Sequence, residues 1–167
     1  HIHIVEGIVE DIVPAGNKKT RNKVITREFV QKTGKPFNKF LVRRSVERVY
    51  NLGFFDDVNV RMLPGEKDPN NVIIEIDVLE HKTGTITLGA GYSKSDGLMG
   101  IVEFGEDNLR GTGDKFKVHW EIGGKKKYKN YQISYLKPWI DHRGTSLGFS
   151  FFNREDEYTD YDSDGSE

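Results

Sequence analysis

Residues 115–122 read Lys115-Phe116-Lys117-Val118-His119-Trp120-Glu121-Ile122, and this stretch settles the architecture of the C-terminal half. In an extended chain successive side chains point to opposite faces, so Phe116, Val118, Trp120 and Ile122 share one face. Lys115, Lys117, His119 and Glu121 share the other. A helix would scatter both sets around its circumference. The stretch is therefore a strand with one apolar and one polar side.

The same alternation recurs on either side of it. Ile86, Leu88, Ala90 and Tyr92 alternate with Thr85, Thr87, Gly89 and Gly91. Tyr131, Ile133 and Tyr135 alternate with Asn130, Gln132 and Ser134, and Leu147, Phe149 and Phe151 with Ser146, Gly148 and Ser150. A poorer segment sets Val102 and Phe104 against Ile101 and Glu103. Turn-forming stretches separate the segments: Ser95-Asp96-Gly97, Arg110 to Gly113, Gly123 to Lys127, and Pro138 to Gly144. Residues 83–155 thus predict a meander of five antiparallel strands, each about ten residues long, the length a tilted strand needs to cross a bilayer.

Upstream the pattern differs. His1 to Asn17 runs apolar at Ile2, Ile4, Val5, Ile8, Val9, Ile12 and Val13, which predicts strand with a break at Gly7. Thr20 then predicts an N-cap, and Val24, Ile25 and Phe29 give a helix face ending near Gly34. Asn38 predicts the cap of a second helix carrying Leu41, Val42, Val46, Val49 and Leu52. Gly53 stops that helix, in the left-handed conformation a C-cap wants. Two strands follow, with Val58, Val60 and Met62 alternating in one and Val72, Ile74, Ile76 and Val78 in the other. The order is strand, helix, helix, strand, strand.

Composition narrows the field less. The 167 residues are 35% hydrophobic and 31% charged with a net charge of −1, so the chain as a whole has no general attraction for nucleic acid. With no cysteine there is neither a disulfide framework nor a thiolate metal site. No apolar run is long enough for a transmembrane helix, and a transmembrane β-barrel remains open because its signal is alternation over short segments.

Several motifs taken together resemble a known family. Asn17-Lys18-Lys19-Thr20, Asn51-Leu52-Gly53-Phe54-Phe55-Asp56-Asp57-Val58 and Leu79-Glu80 resemble a POTRA domain. Thr83-Gly84-Thr85 leading into Gly89-Ala90-Gly91-Tyr92, then Asp107-Asn108-Leu109-Arg110-Gly111-Thr112-Gly113 and Lys137-Pro138-Trp139, resemble the opening hairpins of a BamA-type barrel. The likeness runs from about Ile8 to Asn153. The fold expected is α+β: a β-α-α-β-β POTRA domain over 8–82, then the first five strands of an outer-membrane barrel over 83–155. Residues 1–7 are read as the end of a preceding POTRA strand or a remnant of cloning, and 156–167 as an acidic outer loop. Five strands cannot close, since the smallest single-chain barrels need about eight. The chain is thus expected to be part of a longer one.

The resemblance implies assembly and insertion of β-barrel proteins into the outer membrane, with the POTRA domain in the periplasm. It implies unfolded outer-membrane proteins as clients, accessory lipoproteins or periplasmic chaperones as partners, and outer-membrane lipid as surroundings, without a cofactor, catalytic residue or nucleic acid. The first barrel strand is the implied site of client pairing, through Thr85, Ile86, Thr87, Leu88, Gly89, Ala90 and Gly91. Glycines there weaken a strand and let it bend or slip; equally, small residues suit a crowded lumen. The short strand Val58, Asn59, Val60, Arg61 and Met62 is a second candidate, for strand addition to the POTRA sheet, against the plainer reading of an edge blunted by Arg61.

Two other functions compete. A POTRA-containing secretion pore would share these parts. A soluble envelope scaffold would instead pack the apolar strand faces on each other in a sandwich. The remaining motifs are weak. Asp160, Asp162 and Asp164 before Gly165 match the first half of a calcium loop without its bidentate glutamate, so a solvated acidic loop explains them as well. His1 and His3 have metal-compatible spacing at the start of the chain, and Lys125 to Lys127 reads as a hairpin tip or a lipopolysaccharide contact. With one apolar face and two open edges, residues 83–155 in water are expected to self-associate unless detergent covers them, which light scattering would reveal.

Overall fold

A computed structural model of the chain describes residues 7–94, 97–123 and 128–154. The expectations for His1 and His3, for Ser95-Asp96, for Lys125 to Lys127 and for the aspartates of 160–164 lie outside the described residues. Two sheets organise the rest, a three-stranded one in the order β1-β3-β2 and a five-stranded one in the order β4-β5-β6-β7-β8.

The first unit comprises β1 (Val9–Ala15), α1 (Asn22–Thr26), α2 (Lys39–Tyr50), β2 (Phe55–Pro64) and β3 (Val72–Glu80). Strand β3 is central, parallel to β1 and antiparallel to β2. Its Ile74, Ile76 and Val78 alternate inward, and against them pack Val24 and Ile25 of α1, Val42 and Val49 of α2, and Phe29, Phe54 and Phe55. Helix α2 forms as its sequence predicts. The Asn38 side chain accepts hydrogen bonds from the amides of Phe40 (2.9 Å) and Leu41 (3.3 Å), satisfying two of the first-turn donors that a helix leaves free. At the other end Gly53 takes φ +72°, as a glycine beyond a helix terminus can without penalty.

Helix α1 departs from expectation. It is five residues long, its N-cap position is Arg21, and no side chain caps it. The pattern of Val24, Ile25 and Phe29 suggested a helix running towards Gly34, but the amides of Val30 and Gln31 turn instead to the Ser45 hydroxyl on α2, at 2.9 and 3.3 Å. A tertiary acceptor thus replaces the next helical carbonyls. Phe29 stays in the core although it lies beyond the helix.

The second unit is β4 (Gly84–Ser93), β5 (Gly97–Leu109), β6 (Asp114–Gly123), β7 (Tyr128–Lys137) and β8 (Leu147–Asn153), each paired antiparallel to the next. The register aligns the apolar sets directly: Ile86 opposite Phe104, Phe104 opposite Val118, Val118 opposite Ile133 and Ile133 opposite Phe151. Side chains directly opposite one another share a face, so five strands combine into one continuous apolar surface. Nothing among the described residues covers it; Leu88 is 75% exposed and Phe151 67%. A sandwich would have buried these side chains, and the buried core of the first unit takes nothing from them. The opposite face carries Glu103 bonded to His119 at 2.7 Å and Gln132 to Ser150 at 3.2 Å. Phe152 breaks the alternation, sitting opposite Gln132 on the polar side.

Candidate functional site

Four strands, β1, β2, β4 and β8, lie at sheet edges among the described residues, and two of them carry the candidate positions. One is β4, which pairs only with β5, and the other is β2, which pairs only with β3. All seven positions from Thr85 to Gly91 lie on β4 and are exposed. Alanine-sized side chains at Gly89 and Gly91 would meet only Ile101 at 3.7 Å and Met99 at 3.8 Å, which are ordinary contacts. Their neighbours in the described sheet therefore do not demand glycine. Val58 to Met62 all lie on β2. Arg61 there is tied across to β3, 2.8 Å from Glu75 and 3.2 Å from Asp77, so its charge is spent within the sheet.

The link from β3 to β4 is only residues 81–83, and around it the two units interlock. The loop before α1 wraps the end of β3: the amides of Lys18 (2.9 Å), Lys19 (2.8 Å) and Thr20 (2.6 Å) all donate to the Glu80 carboxylate. Successive backbone amides pointing at one anion form a concave nest. Burial, the largest single influence on Glu80, resists its ionisation, yet these donors with the Thr20 hydroxyl outweigh it and hold the carboxyl below its ordinary value.

A depressed native pKa means that the Glu80 contribution to stability is fully present above the unfolded value of about 4.5 and is lost as pH falls through the native one. Glu80→Gln is therefore expected to cost on the order of 1 kcal/mol at neutral pH, discounted for solvent screening, and the cost should shrink in acid. Urea unfolding of both proteins at neutral and acid pH measures the difference.

Beyond Glu80 the contacts cross to the second unit. Glu106, near the end of β5, accepts from the Thr83 hydroxyl and from the Asn108 amide (2.9 Å), and its other oxygen lies 2.9 Å from the Lys19 ammonium. Asn108 is 1% exposed. Its side-chain NH2 donates to the Thr20 hydroxyl at 2.8 Å, and its side-chain oxygen Oδ1 accepts from the Gly113 amide at 2.9 Å. The Arg21 amide donates to the Gly111 carbonyl at 2.9 Å. Gly111 has φ +73°, and a Cβ there would fall 1.8 Å from the Lys19 carbonyl oxygen. The β5–β6 turn is thus seated directly on the loop before α1.

The β7–β8 turn also reaches the first unit. Arg27, next to Glu28 at 3.7 Å, lies 5.7 Å from the centre of the Trp139 ring, a cation–π distance. Trp139 of the Lys137-Pro138-Trp139 motif is thus tied to the residue that ends α1.

Thr20 departs from expectation. It caps no helix; it is buried and bonded to Asn108, 88 positions along the chain. Sequence reasoning recognised Arg110 to Gly113 as a turn and missed what the turn and the preceding Asn108 touch. The one local signal is an asparagine and two glycines crowded into six residues.

An α+β unit joined through a buried polar clasp to an antiparallel meander with one bare apolar face defines the class: a small α+β domain leading into a sheet of membrane-barrel type. Residues 7–81 match POTRA, the surface antigen variable number repeat, and residues 108–167 match the Omp85 superfamily domain. The chain is 32% identical over 156 residues to the outer membrane protein assembly factor BamA of Neisseria meningitidis, covering 92% of this chain and 19% of that protein. It is 33% identical over 138 residues to BamA of Neorickettsia risticii, covering 83% and 18%. The crystal structure of BamA from Haemophilus ducreyi lacking POTRA domains 1–3 superposes with a TM-score of 0.76 at 27% identity, over 87% of this chain and 27% of that one. This chain is a BamA homologue, a segment in which a POTRA domain runs into the first strands of an Omp85 barrel. It spans about a fifth of the length of these curated relatives.

Proposed function

We propose that this segment is the junction of a longer chain that assembles β-barrel proteins into the outer membrane, with its POTRA domain in the periplasm and β4 offering the edge on which a client strand pairs. The observation that carries the reading is the place of β4 at the edge of the sheet directly after the POTRA domain, on a strand that holds glycines its described neighbours do not require. The obstacle to insertion is physical. Each backbone polar group left unpaired in hydrocarbon costs several kcal/mol, so a client strand crosses cheaply only when an edge meets its amides and carbonyls. A seam of low packing can open and supply one, and no covalent step is needed.

Thr85 to Gly91 are the pairing positions in this reading, and Val58 to Met62 are where the POTRA sheet would hold an extended client by strand addition. Unfolded outer-membrane proteins are the clients, handed on by accessory lipoproteins or periplasmic chaperones. The relatives named as assembly factors support this choice over a secretion pore.

The test is site-specific photocrosslinking in cells from the full-length protein. A photoreactive residue at Thr87 or Leu88 is expected to capture newly made barrel proteins, and one at Tyr131 inside the sheet is not. Folded protein that captures no client from β4 would defeat the proposal.

A further inference from the structure

We infer that Asn108 is a positioning residue. With Gly111 it clamps the POTRA domain to the β5–β6 turn, so that the barrel, and not the linker, sets the direction in which the POTRA domain faces β4. The inference rests on the assembly reading for its consequence and on the geometry alone for the clamp itself.

Three residues of backbone, 81–83, would allow a range of orientations if nothing else joined the units. The clasp removes that freedom through a short chain of bonds. Glu80 holds the loop of residues 18–20, the Thr20 hydroxyl accepts from Asn108, and Asn108 in turn accepts from Gly113, which fixes the turn that carries it. A buried amide that satisfies one partner on each side cannot lose either cheaply, since an unpaired polar group under cover costs about 1–3 kcal/mol. The arrangement therefore favours one docked orientation over a gradual tilt.

Sterics point the same way. Gly111 lies so near the Lys19 carbonyl that no side chain fits between them. A Cβ at Gly113 would come 2.8 Å from the Arg27 guanidinium, 3.4 Å from Val24 and 3.6 Å from Phe54. The turn is thus pressed into a recess of the POTRA surface formed by α1 and Phe54. Glu106 adds the link to function, because it binds Lys19 of the POTRA domain and Thr83, the residue before β4, at once. Undocking the turn would release the start of the strand that offers the edge.

The test uses the full-length protein in lipid bilayers, with spin labels at exposed Arg44 on α2 and Ser146 before β8. Wild-type protein should give one narrow distance distribution. Asn108→Ala, Thr20→Val and Gly111→Ala should each broaden it, while the barrel keeps its heat-modifiable mobility. Thr20→Ser retains the hydroxyl and should restore the narrow distribution, and the Asn108→Ala/Thr20→Val double variant should be no broader than either single one. Insertion of a barrel client into the same bilayers should slow at least fivefold in the three broadened variants and be unchanged in Thr20→Ser. Narrow distributions in Asn108→Ala and Thr20→Val, or broadening with an unchanged insertion rate, would overturn the inference. Wild-type protein that inserts no client would defeat the assembly reading instead, and the distance measurements would still decide the clamp.

Discussion

Val118→Arg is expected to destabilise the folded barrel in a bilayer by about 2–4 kcal/mol, the cost of a cation on the lipid face near the midplane. Val118 sits in the middle of β6, opposite Phe104 on one side and Ile133 on the other, within the continuous apolar surface of the five strands. Lipid can satisfy valine there and cannot solvate a guanidinium. Its neighbour Lys117 pairs with Gly105 and Ser134 and projects to the polar side. Lys117→Ala should therefore stay within about 0.5 kcal/mol of wild type, as a substitution away from packed features does. Urea titration of protein folded into liposomes, followed by heat-modifiable mobility, compares the two. Equal losses would mean that the faces are not distinguished by lipid.

Phe29→Ala is expected to cost about 3–5 kcal/mol in the POTRA domain, as truncation of a buried phenylalanine does. Phe29 is 2% exposed and belongs to the cluster that includes Val24, Ile25, Val49, Ile74 and Ile76. Leaving a cavity beneath Val24 would also weaken the recess against which Gly113 packs. Leu79→Ala makes the contrasting control, because Leu79 is 61% exposed on the far side of β3. Chemical unfolding monitored on the POTRA domain should separate the two variants by several kcal/mol, and a small loss in Phe29→Ala would mean that the core lies elsewhere.

Strand alternation and the cap of α2 are legible in the sequence because each depends on neighbours a few positions away. Residues 115–122 declare two faces by themselves, and the register of β5 to β8 then follows from joining like faces. Asn38 and Gly53 mark the helix between them for equally local reasons. What was illegible depends on distance along the chain. Thr20 has the residue type and place of a helix cap, and only the fold brings Asn108 to its hydroxyl. Helix α1 is shorter than its pattern predicts because Ser45, on α2, takes the amides of Val30 and Gln31. Trp139 stands in a turn motif, and only the fold brings Arg27 beside it. The strand edges proposed for client pairing could be placed on β4 and β2 from sequence, whereas the clasp that orients them could not.

The central claim is that one face of the meander meets lipid while the other does not, with the POTRA domain docked at its base. Single cysteines at each position from Lys117 to Ile122, labelled with a fluorophore in the full-length protein and placed in bilayers of brominated lipid, test it most directly. Strong quenching at 118, 120 and 122 with little at 117, 119 and 121 is the predicted result, and equal quenching of both sets, or none, would contradict it.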